Sequence, residues 1–293
     1  MRIGIIGTGS MGATHAQSWR ETPAKIAGFV SRRGPSDLAA EYAAPVFDTL
    51  AAMLPHVDVV DICTPTNQHH AQCLAAAQAN KHVVCEKPFA SSRAEAEEMI
   101  QVCAAQGVHL LVAHVLRYFP AYADAHAAIV SGQIGQPKQL SLWRAGSMPA
   151  RAQDNWFADT AISGGVLLDL IIHDFDFAQW VAGPVDTVTV EHVTPDLREA
   201  VVVLQHAGGA VSRVHGAWNL PPGRFETSAR IEGDGGVIAF DNSQPANGAI
   251  PYVLQAQEFY AALTDGVTPR VTAQDALAAL TISLNALAQA RQG

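Results

Sequence analysis

Positive charge is scarce in this chain. Lys and Arg number 18 against 27 Asp plus Glu, a formal charge of −9, and no basic tract exceeds Arg32-Arg33. A nucleic-acid partner needs a basic face, so none is expected. Cysteine is sparse too: Cys63, Cys73, Cys85 and Cys103 show no Cys-x-x-Cys spacing and fall in expected strands and helices. They read as small core residues in a reducing cytoplasm, and no metal site is expected of them. No apolar run approaches the roughly 20 residues that span a bilayer. Met1-Arg2 leads straight into Ile3-Gly4-Ile5-Ile6-Gly7 without the pattern of a signal peptide, so a cytoplasmic location is expected.

What is present is apolar residue: 49% of the 293, enough for compact folding throughout. That length exceeds one average core and predicts two domains. The first opens with a branched run at Ile3–Ile6, then Gly7-Thr8-Gly9-Ser10-Met11-Gly12, then a helix-compatible segment from Ala13 to Arg20. In a strand, glycine turn and helix of this kind, Gly7 permits the turn, Gly9 lets a pyrophosphate approach the backbone, and Gly12 allows close packing. The free N–H groups at the helix start, from Ser10 and Met11 onward, supply an anion site. A structural glycine turn is the plainer alternative.

The second strand, Ile26 to Val30, should end beside the adenosine ribose, where an acid would accept from the 2′-hydroxyl. Ser31-Arg32-Arg33 stands there instead. A hydroxyl and two guanidinium groups suit a 2′-phosphate, which favours NADP over NAD; the alternative is a pair of solvated loop charges. Further along, Val57 to Cys63 is a near-continuous branched run that reads as a buried strand and delivers Thr64-Pro65-Thr66-Asn67-Gln68-His69 to the same sheet edge. Thr64, Pro65, Asn67 and His69 are candidates to hold the nicotinamide ribose. The next helix should end at Asn80, a residue that tolerates the left-handed conformation.

The strand His82 to Cys85 then ends in Glu86-Lys87-Pro88. Ligands of parallel sheets bind beyond the carboxyl ends of the strands, so Glu86 and Lys87 should face the crevice, and Lys87 is placed to polarise a carbonyl or stabilise an alkoxide. A loop lysine paired with Glu86 is the bland reading. Ser91-Ser92 offers a helix N-cap, and a strand from Val108 to Ala113 closes a doubly wound domain over residues 1–118.

From 119 to 293 the pattern changes. Strand-like runs between Thr187 and Phe240, broken at His206-Ala207-Gly208-Gly209 and Gly233-Asp234-Gly235-Gly236, indicate a mostly antiparallel sheet. Too few helices accompany it to cover both faces, which predicts a homo-oligomer, most simply a dimer. Before those strands, Ser163-Gly164-Gly165 precedes an expected helix running to about Val181. Asp169 and His173 sit four positions apart on it, on one face. A carboxylate beside an imidazole suits general acid–base work near neutral pH, and a structural hydrogen-bonded pair is the competing reading. As half of a metal site the pair lacks a third ligand.

These residues together resemble the Gfo/Idh/MocA family, the glucose-fructose oxidoreductase and inositol dehydrogenase group. The likeness runs through Gly7-x-Gly9-x-x-Gly12, Thr64-Pro65-x-x-x-His69, Cys85-Glu86-Lys87-Pro88, Arg117, and Gly164-Gly165-x-x-x-Asp169-x-x-x-His173-x-x-Asp176. It implies an α/β protein: an N-terminal Rossmann domain, then a substrate-binding and oligomerisation α+β domain with an open sheet. It also implies hydride transfer between NADP or NAD and a sugar, cyclitol or related polyol or carbonyl compound. Lys87 would stabilise the alkoxide or carbonyl, Asp169 would orient, and His173 would carry the proton. Arg117, Tyr118 and His114 would shape the pocket, while Trp156, Arg144 and Arg151 fall in an expected loop-rich region that either lines the substrate site or has an exposed or interface role. The missing second-strand acid and the shorter second domain depart from the family pattern. A non-redox enzyme with transiently reduced cofactor and a cofactor-sensing regulator are the competing functions, the latter opposed by the retention of Lys87, Asp169 and His173.

Overall fold

The computed structural model describes residues 1–31, 34, 37–149, 156–241 and 250–292. In chain order its elements are β1 (Arg2–Ile6), α1 (Ser10–Arg20), β2 (Lys25–Val30), α2 (Asp37–Glu41), β3 (Val46–Phe47), α3 (Leu50–Met53), β4 (Val59–Ile62), α4 (His69–Gln78), β5 (His82–Glu86), α5 (Arg93–Ala105) and β6 (Leu110–Ala113). There follow α6 (Pro120–Val130), β7 (Pro137–Gly146), α7 (Thr160–Ser163), a π-helical turn at Val166–Leu170, α8 (Ile172–Ala182), β8 (Val185–Val193), β9 (Glu199–His206), β10 (Val211–Ala217), β11 (Phe225–Gly233), β12 (Val237–Asp241), α9 (Ile250–Asp265) and α10 (Ala273–Ala290). The chain divides into two compact units, Met1–Tyr118 with Asn247–Ala276, and Phe119–Ala246 with Leu277–Gly293.

The first unit is built on a six-stranded sheet of order β3-β2-β1-β4-β5-β6, every pair parallel. All four residues of β4 and all of β6 are buried, as strands covered on both faces require. Local chemistry sets the helix limits. Ser92 accepts from the Glu95 N–H at 3.2 Å while Glu95 Oε2 accepts from the Ser91 N–H at 2.9 Å, so side chains satisfy two backbone donors at the start of α5. Asn80, just past α4, has φ 58°, the left-handed stop expected of it.

Residues 250–276, expected in the second domain, group instead with the first unit. Ala256, Phe259 and Ala262 of α9 join Ile3, Ile5, Ala16, Trp19, Phe29 and Val84 in one apolar cluster. An amphipathic helix carries no record in its sequence of which sheet it will cover. The second unit holds a sheet of order β12-β11-β7-β10-β9-β8, antiparallel except for β7 beside β10. His206 and Gly209 close the β9–β10 hairpin, and Gly233 and Gly236 the β11–β12 hairpin, at the expected breaks. Among the described residues no helix is long and apolar enough to cross a membrane.

Candidate active site

Parallel pairing brings the first unit's candidate residues to one edge of its sheet. Gly7 leaves β1 with φ +97° beside Cys63, which leaves β4, and an added Cβ there would stand 2.6 Å from the Cys63 carbonyl oxygen. At Gly12 an added Cβ would collide with the Gly7 carbonyl oxygen, so helix and turn meet through bare backbone. Gly9 caps α1 with no side-chain hydrogen bond, which leaves the helix start open to an anion. Ser31, at the end of β2, accepts from Thr8 Oγ1 at 2.9 Å and so adjoins the same turn. These features fit a dinucleotide: a close-packed turn, an uncapped helix start, and a hydroxyl where the second strand ends. Arg32 and Arg33 lie outside the described residues.

After β4, Thr64 Oγ1 donates to Gln72 Oε1 at 2.7 Å, and Asn67 is exposed. His69 is buried, its ring nitrogens 2.9 Å from the Pro88 carbonyl and 2.8 Å from the Thr64 carbonyl. It therefore ties the Thr64–Pro65 loop to the turn after Lys87 and serves as a strut between the two. The Lys87–Pro88 peptide is cis. Glu86 pairs with Ala113 across β5 and β6, so Lys87 and His114 leave the sheet side by side. Lys87 is half-buried, and its backbone N–H donates to Glu86 Oε2 at 3.0 Å.

His114, Arg117 and Tyr118 are buried. Arg117 Nη1 donates to the Arg270 carbonyl at 2.7 Å, and the Tyr118 hydroxyl donates to Glu258 at 2.7 Å, so both contacts fasten the segment after β6 to α9 and its following loop. Burial and the Glu258 carboxylate push the Tyr118 phenol far up, which keeps it a donor at any working pH.

In the second unit the single helix expected from Gly165 to Val181 is interrupted. Asp169 lies in the π-helical turn, the Ile171 N–H reaches back five residues to the Val166 carbonyl at 2.9 Å, and His173 sits in the first turn of α8. The cause is the pair of glycines before it. Gly164 and Gly165 have φ +65° and +61°, and Val166 N–H donates to the Leu197 carbonyl at 2.9 Å, so a backbone bond to a distant loop fixes the helix start. Isolated π turns inside helices recur at functional sites. Asp169 is buried and His173 half-buried. The loop holding Leu197 also borders a cavity of about 550 Å³ lined in part by Ser147, Trp218 and Asn219. Trp156 is half-buried and stacked on Phe157 at 3.9 Å; Arg151 lies outside the described residues.

Arg144 is not in a loop. β7 runs past Trp143 to Gly146, and Arg144, buried on it, grips Asp174 with two bonds of 2.6 and 3.0 Å. Burial opposes the guanidinium charge, but Asp174 outweighs it and holds the Arg144 pKa above its ordinary value. Asp174 is the neighbour of His173, so this ion pair anchors α8 to the sheet at the candidate base.

Sequence reading passed over a second buried cluster. His15 of α1 lies against Asp61 of β4 and Glu86 of β5. An acid inside the otherwise branched run Val59-Val60-Asp61-Ile62 was the available signal, because a buried carboxylate demands a partner.

A parallel sheet with a glycine turn opening its first helix is the architecture of a dinucleotide-binding domain, here joined to a second unit with a mostly antiparallel sheet. The chain belongs to the Gfo/Idh/MocA family: residues 1–114 match the model described as "Oxidoreductase family, NAD-binding Rossmann fold", and residues 122–239 match its C-terminal domain. It is similar to the myo-inositol 2-dehydrogenase of Thermotoga maritima, 29% identical over 83% of this chain and 75% of that one. To the UDP-N-acetylglucosamine 3-dehydrogenase of Acidithiobacillus ferrooxidans it is 32% identical over 65% and 58% of the two chains. In fold it matches the WlbA dehydrogenase of Bordetella pertussis, solved with NADH and UDP-GlcNAcA, with TM-score 0.89 and 21% identity over 100% of this chain and 97% of that one. The protein is a nicotinamide-dependent oxidoreductase.

Proposed function

We propose that the protein transfers a hydride between a nicotinamide cofactor and a secondary alcohol or carbonyl of a sugar, cyclitol or related polyol. The observation that carries this reading is Lys87, half-buried at the sheet edge that also bears the glycine turn, with its backbone tied to Glu86. When bound, the nicotinamide supplies the acceptor or donor of the hydride. The residues do the rest. Lys87 stabilises negative charge on the substrate oxygen, work that suits a compact ammonium. His173 takes or gives that oxygen's proton, and Asp169 orients the imidazole. Gly9, Ser10, Met11 and Gly12 hold the pyrophosphate at the helix start, while the Gly7 N–H donates to the Val30 carbonyl at 3.0 Å and fixes the turn.

NADP(H) is the preferred cofactor in this proposal, supported by Ser31-Arg32-Arg33 where an acid would otherwise accept from the ribose. Fluorescence titration with both reduced cofactors tests it: NADPH should bind more tightly, and Arg32→Asp should reverse the order. Tighter NADH binding by the wild type contradicts the preference. The working state is a homo-oligomer, and the site of action the cytoplasm. A panel of sugars and cyclitols, assayed by absorbance of the reduced nicotinamide with each cofactor, tests the reaction class. Turnover on at least one member is expected, and none across the panel contradicts it.

A further inference from the structure

Inside the first unit the His15 imidazole stands between two carboxylates carried by different strands. Its Nδ1 is 2.9 Å from Asp61 Oδ1 and 3.0 Å from Oδ2, and its Nε2 is 3.0 Å from Glu86 Oε1. A carboxylate only accepts, so a ring that satisfies both must donate through both nitrogens, which only the doubly protonated imidazolium can do. All three side chains are buried.

We propose that His15 is a positioning residue for Lys87: as an imidazolium it pins Glu86 to α1, and Glu86 in turn accepts the Lys87 backbone N–H, fixing the strand end that carries the lysine. The inference rests on the reading of Lys87 given above. Its geometric chain is short: His15 Nε2 to Glu86 Oε1 at 3.0 Å, then Glu86 Oε2 to Lys87 N at 3.0 Å. One carboxylate thus uses one oxygen for the clamp and the other for the lysine backbone. Since α1 opens at the glycine turn, the same helix that offers its start to the pyrophosphate also braces the lysine.

The groups around the ring agree with a cation. Asp61 also accepts from Trp19 Nε1 at 2.7 Å and from the Cys63 thiol at 3.6 Å. Beside the ring, α1 adds Ser18, β5 adds Val84, and α9 adds Tyr252 and Gln255. The acidic groups that face the ring are Asp61 and Glu86, with the Cys63 thiol beside Asp61. Burial opposes charging of His15, but Asp61 and its hydrogen bond hold the pKa well above the ordinary value. Burial likewise opposes the Glu86 carboxylate, and His15 reverses this to hold its pKa below the ordinary value. The ligand atoms of His15, Asp61 and Cys63 lie within 4.8 Å of one another, a spacing a cation could use. Both ring nitrogens already face carboxylates, however, and burial with Asp61 pushes the Cys63 thiol up to about 12, so the thiolate that a metal needs is disfavoured.

Nuclear magnetic resonance on the full chain saturated with reduced cofactor tests this. With nitrogen-labelled histidine, both His15 ring nitrogens should be protonated at about pH 8, where an ordinary imidazole of pKa about 6.5 is neutral. A neutral His15 ring at pH 7 overturns the proposal. The Lys87 backbone amide gives the second readout. In the wild type its resonance should hold still from about pH 5 to 8, and in His15→Gln it should move across that range as Glu86, buried without its cation, takes up a proton. A folded His15→Gln protein whose Lys87 amide stays unmoved reduces His15 to a structural contact and overturns the proposal. Should that variant fail to fold, the ring nitrogens of the wild type, assigned through the His15 backbone, decide alone. Wild-type turnover by Lys87→Met across the sugar and cyclitol panel would sink the reading of Lys87 and leave the His15 signals where they are, so the two failures are told apart.

Discussion

At the scale of single residues the proposed chemistry is tested at Lys87 and His173, both half-buried. His173→Ala should lower kcat by about 10²- to 10⁴-fold, the usual worth of general acid–base assistance. Lys87→Ala should lower it by about 10²- to 10³-fold through lost charge stabilisation. Cofactor affinity, read by fluorescence titration, should change little in either. If both groups act on one oxygen the double variant will lose far less than the product of the single losses. Multiplicative losses would mean that the two groups act independently, and a His173→Ala enzyme at wild-type rate would return His173 to a structural role. Arg144 supplies a stability test. Removing it leaves Asp174 buried with an uncompensated charge, so Arg144→Ala should cost about 3–5 kcal/mol in urea unfolding. A cost below about 1 kcal/mol, the range of exposed pairs, would contradict the account of that ion pair. The His15 clamp predicts a pH window. Because the folded His15 pKa is raised, its stabilisation is complete below about 6.5 and is lost as pH rises through the folded value. Because the folded Glu86 pKa is lowered, its stabilisation is present above about 4.5 and is lost as pH falls through the folded value. The stability gap between wild type and His15→Phe should therefore be widest from about pH 4.5 to 6.5 and narrow outside it. A gap that does not vary with pH contradicts a charged clamp.

At the scale of elements, Gly12 gives the sharpest test of the turn. A Cβ there meets the Gly7 carbonyl oxygen, and the turn must open to admit it. Gly12→Ala should weaken cofactor binding at least about tenfold, the effect of a displacement costing about 1.4 kcal/mol. Unchanged affinity would mean that the pyrophosphate does not sit on this turn. Most of this unit was legible in the sequence, because parallel strands buried on both faces read as branched runs, and because Asn80 and Ser92 stop and start helices through their own side chains. The interruption after Gly165 was not legible. Val166 to Ile172 is buried throughout and apolar except at Asp169, so its pattern has no phase from which a change of helical pitch could be read. The bond that sets the break comes from Leu197, on a distant loop. The His15 cluster is illegible in the sequence for the same reason: its partners lie 46 and 71 residues away, and only the sheet brings them together.

At the scale of the whole molecule, the exposed face of the second sheet bears on assembly. α8 and the π-helical turn pack on one face, against β7, β9 and β10. Along β10 the exposed Arg213 and the half-buried His215 alternate with the buried Ser212 and Val214, and His215 meets Trp143 of β7 edge-on at 4.3 Å. Arg213–Glu191 and Arg230–Glu232 add ion pairs at 2.9 and 2.7 Å. The proposed homo-oligomer would use this face, and sedimentation at micromolar concentration should show a dimer or larger species. A monomer contradicts it. The central claim is net hydride transfer, and isotopic label follows the hydride itself. With the panel compound that gives turnover, deuterated at its ring carbons and supplied with NADP⁺ or NAD⁺, the reduced cofactor should carry deuterium in amounts that match the product formed. Product that accumulates with no deuterated, net-reduced cofactor would contradict the account and leave a non-redox enzyme in its place.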